Sequence, residues 1–467
     1  MMLAFLSYAM IAVFMYVIMK KKMSPLTALV MIPLVLTIIV ILTGSADFLA
    51  DAKFAKFVGE DGLPNNLTAI GPMVMYGINS TAKTGIMLLF AILYFSLMLD
   101  AGLFDPITER MIRFAKGDPM KVLMATAVVA AAVSMNGDGT TTTLICCSAF
   151  LPIYKKLDMK IMNLGVLIIL QNTIMNLLPW GGPTARAMSV LEVGPEILGY
   201  LAPGMILSVL YVIFIVARSM GKKERERLGI AQLSEAELQE LIVVSDPETL
   251  ALRRPKNFVF NAILTVVLVG WLVLGSFQES IAMPSLLLFA VGTCIALMVN
   301  YPVLKDQSKR ISENAGDAVQ VVILVFAAGI FMGLFQGSGM AGALSQSFAT
   351  IIPKQLGGFW GLIVALISAP GTFFISNDGF YYGILPVLAE AGANYGFDNV
   401  SMALASLMGQ AFHLLSPLVA FIYLLLRLTG LDMGEWQKES AKYATVIFII
   451  FVVTIMLLGK IPFYIPQ

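Results

Sequence analysis

Charge is scarce in this chain. Asp, Glu, Lys and Arg together make up 13% of its 467 residues against 58% hydrophobic residues, and the mean hydropathy is strongly positive. That balance excludes a soluble globular protein and calls for a bilayer around most of the chain. Histidine occurs once, at His413. Cysteine occurs only at Cys146, Cys147 and Cys294, all in apolar runs without CxxC spacing, so the three read as small buried hydrophobes. A net charge of +1 leaves no basic excess for nucleic acid. Strict apolar/polar alternation is missing too. A β-barrel is thereby excluded, and helices remain, because they satisfy their own backbone in hydrocarbon.

What the chain does have is a series of apolar runs of about 17 to 25 residues. The run from Leu3 is long enough to span and no small-residue cleavage site follows it, so a first span rather than a leader is expected. Lys20, Lys21 and Lys22 close it and mark the inside. A second span runs from Pro25 to Leu42, a stretch from Ser45 to Thr84 is expected outside, and Gly85 to Phe104 returns inward. Lysines and arginines on both sides of 121–155 put the two ends of that segment on one face, which makes it a hairpin. The segment 161–188 crosses outward and breaks at Leu177-Leu178-Pro179-Trp180-Gly181-Gly182-Pro183. Residues 218–256 form a charged cytoplasmic linker, with Ser234 and Glu237 spaced as a capping box. A second hairpin is expected at 358–390 and a second broken helix at 401–426, interrupted near His413-Leu414-Leu415-Ser416-Pro417. All but six of the 30 Lys and Arg residues fall inside on this topology. The fold expected is an all-α polytopic membrane protein of about 10 full spans plus the two hairpins.

The two halves echo one another. Phe90-Ala91 matches Phe326-Ala327, Asp138 matches Asp378, and Pro179 matches Pro417 at a nearly constant separation. The first hairpin opens inside and the second outside, so residues 1–217 and 257–467 read as inverted repeats, an arrangement that sets a transporter's site at the midplane. Hairpin arms of about 16 residues reach about 24 Å, short of the hydrocarbon core, which favours re-entrant tips.

The tips carry the chemistry. An ionisable group at depth is tolerated when it faces a cavity and finds a partner, which selects Asp138 and Asp378 for metal or proton coupling, with Asp100 near a span end as a further candidate. Asn136, Ser376 and Asn377 add neutral oxygens for a hard cation, and the neighbouring glycines allow close backbone approach. Thr140 and Thr141 open the second arm of the first hairpin, at a positive helix end suited to a carboxylate. Gly181, Gly182, Thr184 and Arg186 lie in or just past the first break, where an arginine fork fits a carboxylate. His413 and Ser416 occupy the second break beside Gln410.

The runs Asp100-Ala101-Gly102-Leu103-Phe104-Asp105-Pro106, Gly137-Asp138-Gly139, Leu178-Pro179-Trp180-Gly181-Gly182-Pro183-Thr184, Ser376-Asn377-Asp378 and His413-Leu414-Leu415-Ser416-Pro417 resemble the CitMHS family of metal-citrate:proton symporters over nearly the whole chain. The resemblance implies an ion-transporter-superfamily fold with scaffold and transport domains, a homodimer in the cell membrane, and uptake of citrate complexed to a divalent metal of the Mg or Ca class, driven by protons. It implies no permanently bound cofactor and no enzymatic activity. Asn136 and Thr140-Thr141 stand where relatives are expected to carry an aspartate and Ala-Thr, which bears on metal preference. Two rivals are a free di/tricarboxylate symporter or ion:proton antiporter on the same fold, and an intramembrane aspartyl protease, whose Gly-x-Gly-Asp pattern Met135 disrupts.

Overall fold

The long apolar runs become helices here, rich though several are in β-branched residues, and the punctuation between them becomes caps and turns. The computed structural model describes residues 2–48, 67–230, 247–281, 283–351 and 354–466, and no strand occurs among them. The first half contains α1 (Met2–Met19), α2 (Pro25–Leu42), α3 (Ile70–Asp100), α4 (Asp105–Ala115), α5 (Pro119–Ser134), α6 (Gly139–Lys156), α7 (Ile161–Met175), α8 (Gly182–Leu191) and α9 (Ile197–Tyr211). A π-turn (Val212–Ala217) joins α9 to α10 (Arg218–Leu228). After α11 (Pro247–Leu252) come α12 (Phe258–Phe277), α13 (Ser285–Asn300), α14 (Leu304–Gly337), α15 (Met340–Ile351), α16 (Trp360–Phe374), a π-turn (Gly379–Ile384) and α17 (Leu385–Ala393). The chain ends with α18 (Asn399–Met408), α19 (Gln410–His413), α20 (Ala420–Thr429) and α21 (Met433–Leu457). Among the described residues six helices are long and apolar enough to cross a membrane by themselves, which makes this a multi-pass membrane protein.

Helix starts follow local chemistry. Ser24, Asp118, Asp398 and Asp432 each accept a backbone N–H of the following turn, and Pro25 and Pro119 occupy first-turn positions where no donor is lost. The span expected to begin at Gly85 begins earlier. Ile70 already lies in α3, because Ser80 and Thr81 return their hydroxyls to the Gly77 carbonyl and so sit in a helix without an unmet donor. Part of the stretch expected outside is therefore helical, and its residues 49–66 lie outside the described residues.

α3 and α14 cross at glycines. A Cβ on Gly77 would stand 1.9 Å from the Gly329 carbonyl oxygen, and one on Gly333 would stand 2.2 Å from Met73 O. Only hydrogen side chains let these two backbones meet. Cys294, expected to be buried, is exposed, because α13 turns Phe289, Gly292 and Ala296 inward and leaves Cys294 on its outer face.

The charged linker does not begin as free chain. α10 lies against the base of the first hairpin, where Arg225 pairs with both Asp118 oxygens through Nε and Nη2, and the buried Glu224 accepts from Lys160 N and Asn163 Nδ2 at 3.4 Å each. The spacing of Ser234 and Glu237 falls outside the described residues.

Candidate functional site

The first hairpin turns at residues 135–138 between α5 and α6. Gly137 takes a left-handed conformation (φ +84°), which glycine adopts without steric cost. Asn136 Oδ1 accepts the Asp138 N–H at 2.7 Å, and Asp138 caps α6 by accepting Thr140 N at 3.2 Å and Thr141 N at 2.6 Å. Asp138 is exposed, as is Thr140, while Thr141 is half-buried. Its carboxylate faces the positive end of its own helix.

This tip rests on the first break. Trp180 Nε1 donates to the Met135 carbonyl at 2.7 Å, and its ring stacks on Phe95 of α3 with centroids 4.8 Å apart. Gly181 ends the break, and a Cβ there would meet Asn176 O at 2.1 Å. One on Gly182 would lie 2.8 Å from Arg186 Nη1. Thr184 is buried and closes the break by donating to Leu177 O at 2.9 Å. On its other side the tip meets the start of α20, where a Cβ on Gly139 would fall 2.2 Å from the Phe421 ring.

The second tip is built differently. Ser376 Oγ accepts Gly379 N at 3.2 Å and so serves as the cap, which leaves Asn377 and Asp378 in the first turn with side chains free for other elements. Asp378 takes Arg186 of α8, Nε to Oδ1 at 2.6 Å, with the two side chains 22% and 21% exposed. Among the described residues this is the only hydrogen bond of the Arg186 guanidinium, so its Nη groups stay available. Asn377 Oδ1 accepts from Gln410 Nε2 at 3.0 Å, and Gln410 also donates to Tyr381 Oη at 2.9 Å.

The second break is held from α16. His413 Nδ1 donates to the Thr372 carbonyl at 2.6 Å, which places the ring hydrogen on Nδ1, and Ser416 donates to Phe373 O at 2.5 Å. A π-turn directly after the tip widens the helix there.

The structure therefore brings both tips and both breaks together. Asp138 and Asp378 share no hydrogen bond or ion pair among the described residues; each is engaged by other groups. Asp100 belongs elsewhere. It accepts from Asn314 Nδ2 at 2.8 Å and Arg310 Nη1 at 3.3 Å where α3 meets α14, while Arg253 covers the carbonyls of Leu99 and Asp100.

Several residues with roles here were not singled out from the sequence. Gln410 was noted only as a neighbour of His413, and Trp180 only as part of a motif. Gln171 of α7 is fully buried and, among the described residues, neither end of its carboxamide is hydrogen-bonded; Gln410 Oε1 is likewise unmet among them. A glutamine in an apolar run was the available signal, and unmet buried amides mark places where water or ligand belongs.

A family described as "CitMHS: Citrate transporter" matches residues 14–409. A Bacillus subtilis (strain 168) protein named "Citrate transporter" is 43% identical over 463 residues, covering 99% of this chain and 100% of that protein. Another from the same organism, named "Mg(2+)/citrate complex secondary transporter", is 39% identical over 462 residues, covering 98% of this chain and 99% of its own length. Among solved structures, the YdaH transporter of Alcanivorax borkumensis aligns with a TM-score of 0.60 at 15% identity, over 94% of this chain and 98% of that one. That likeness is one of fold.

Proposed function

This chain belongs to the CitMHS family of citrate transporters, and from that premise we propose that it is a secondary active transporter taking up citrate complexed with a divalent metal ion in symport with protons. The observation that carries the reading is the meeting of two acidic tips with a break that presents Arg186, whose Nη groups are uncommitted. An anion and a cation can be held at one place there.

Asn136, Asp138, Asn377 and Asp378 face the metal side of the complex; Thr140, Thr141, Ser376, Gly181, Gly182 and Arg186 face citrate. Thr184, Ser416 and His413 fasten the breaks by their bonds to backbone carbonyls, and His413, with its hydrogen on Nδ1, keeps Nε2 as an acceptor for the citrate hydroxyl. Among the described residues no three His, Cys, Asp or Glu side chains converge. A hard cation at the tips would accordingly complete its oxygen shell from a chelating ligand, which suits a metal that travels with citrate. The relative named for an Mg(2+)/citrate complex supports the same substrate.

In this reading residues 1–217 and 257–467 are inverted repeats with re-entrant tips in a cell-membrane homodimer. The tips, breaks, α9, α10 and α21 form a body that moves between faces against a scaffold built on the α3–α14 crossing. Reconstitution with radiolabelled citrate, with and without divalent metal and a pH gradient, tests it. Metal-independent uptake would defeat the metal complex as substrate, and indifference to the gradient would defeat proton coupling.

A further inference from the structure

The turn between α8 and α9 carries a glutamate that the tip site leaves unused. Glu192 ends α8 in a left-handed conformation, φ +54°, uncommon for any residue with a Cβ. Its Oε1 is shielded from solvent and has no hydrogen-bond partner among the described residues.

The residue lines an open cavity of about 720 Å3 between α3 and the α8–α9 turn. From α3 come Asn79, Ser80, Lys83 and Thr84; the turn adds Glu196; the ends of α12 and α13 add no charged side chain to the lining. Glu196 is folded onto its own loop, accepting Gly194 N at 3.1 Å. Lys83 is exposed and is the only cation of the lining among the described residues.

Glu192 meets no donor for its inner oxygen among the described residues. It sits at the negative end of α8. On the opposite wall of the cavity stands Lys83. The Glu192 carboxyl thus borders an open cavity while one of its oxygens stays unpaired inside the protein. Its helix also leads to the site, because Arg186, which holds Asp378, lies six residues earlier on α8, about 9 Å along the axis at the helical rise. The cavity wall on α3 belongs to the scaffold and the Glu192 turn to the body that carries the tips, so movement between faces changes the distance between carboxyl and lysine.

Resting on the symport reading above, we propose that Glu192 is the proton-carrying residue of the transport cycle, with Lys83 the counter-charge of its deprotonated form. Its carboxyl takes one proton from the outer cavity and releases that proton on the inner side.

The test uses the full chain in proteoliposomes with metal-citrate outside and a pH-sensitive dye inside. In E192Q, net uptake driven by the pH gradient falls at least about tenfold and citrate-evoked proton entry disappears, while citrate exchange, which moves no net proton, persists. In K83M the midpoint of the pH profile of citrate-evoked proton entry moves upward by about half a unit or more, since losing the cation favours the protonated form. E192Q that still brings in protons with citrate at the wild-type ratio overturns the proposal. Where E192Q fails to fold, K83M decides: an unmoved or lowered midpoint overturns it as well. A wild-type chain without citrate-evoked proton entry would instead defeat the symport reading itself, an outcome visible before any variant is made.

Discussion

Arg186 on the half-helix after the first break donates from Nε to Asp378 Oδ1 on the second hairpin tip at 2.6 Å, joining the two halves of the chain at their most polar point. Each side chain is about one-fifth exposed, so the pair is neither a screened surface contact nor a sealed one, and its strength depends on the hydrogen bond.

Removing either partner leaves the other half-buried and unpaired. D378N and R186Q are expected to cost about 1.5 to 3 kcal/mol each and to lower citrate uptake more than about tenfold. R186K keeps the charge but loses the planar fork, so it should fold and bind citrate more weakly. Citrate KM together with thermal unfolding of the three variants checks this; an R186K protein with wild-type KM would remove Arg186 from citrate binding.

Asp138 has two separable roles. Asparagine caps a helix about as well as aspartate, so D138N should unfold within about 0.5 kcal/mol of wild type, whereas D138A loses about 1 kcal/mol. A carboxylate that also touches the metal makes D138N need a substantially higher metal concentration for half-maximal citrate uptake. Uptake titrated with metal is the measurement, and an unchanged midpoint in D138N would reduce Asp138 to a cap.

The α3–α14 crossing tolerates no side chain at Gly77. A Cβ there meets the Gly329 carbonyl at 1.9 Å, a contact between backbones that no rotamer relieves. G77A is expected to lose about 1 to 3 kcal/mol, read as a drop in unfolding temperature, while G71A on the same helix, with nothing within 4 Å of its Cβ, stays near wild type. Equal behaviour of the two would mean the crossing is looser than described.

The contact of Asp118 with Arg225 predicts a pH dependence. Burial pushes the Asp118 carboxyl up, but the Arg225 guanidinium bonded to it, aided by Met120 N–H and Lys121, more than offsets that and holds it below the usual carboxylate range. The unfolded chain therefore binds this proton more readily than the folded one. The contact contributes its full stability above the ordinary aspartate value of about 3.9 and loses it as the pH falls through the lower, folded value. The difference in unfolding temperature between wild type and D118N should hold steady from about pH 7 to about pH 5 and shrink in stronger acid; a difference that grows on acidification contradicts the assignment.

Much of this architecture was legible in the order of residues. Ser134 to Gly139 and Ser376 to Gly379 stood out as polar tips within apolar arms, and Leu177 to Thr184 and His413 to Pro417 as breaks, since Gly, Pro and a capping carboxylate act within a turn of where they sit. The start of α3 was not legible. Ser80, Thr81 and Lys83 look like loop residues until their helix is seen against α14, where small side chains are required. Nor was the fate of Gln410, whose partners Asn377 and Tyr381 lie about 30 residues earlier on another element.

Sequence alone determined a membrane protein with paired acidic turns and paired helix breaks, because hydropathy and turn chemistry are local and survive without knowledge of neighbours. The tertiary structure decided who meets whom. The symmetry of the sequence paired Asp138 with Asp378, yet a side chain binds the donor that packing brings within 3 Å. At the first tip that donor is the backbone of its own helix, and at the second, where Ser376 does the capping, it is Arg186 from the other half of the chain.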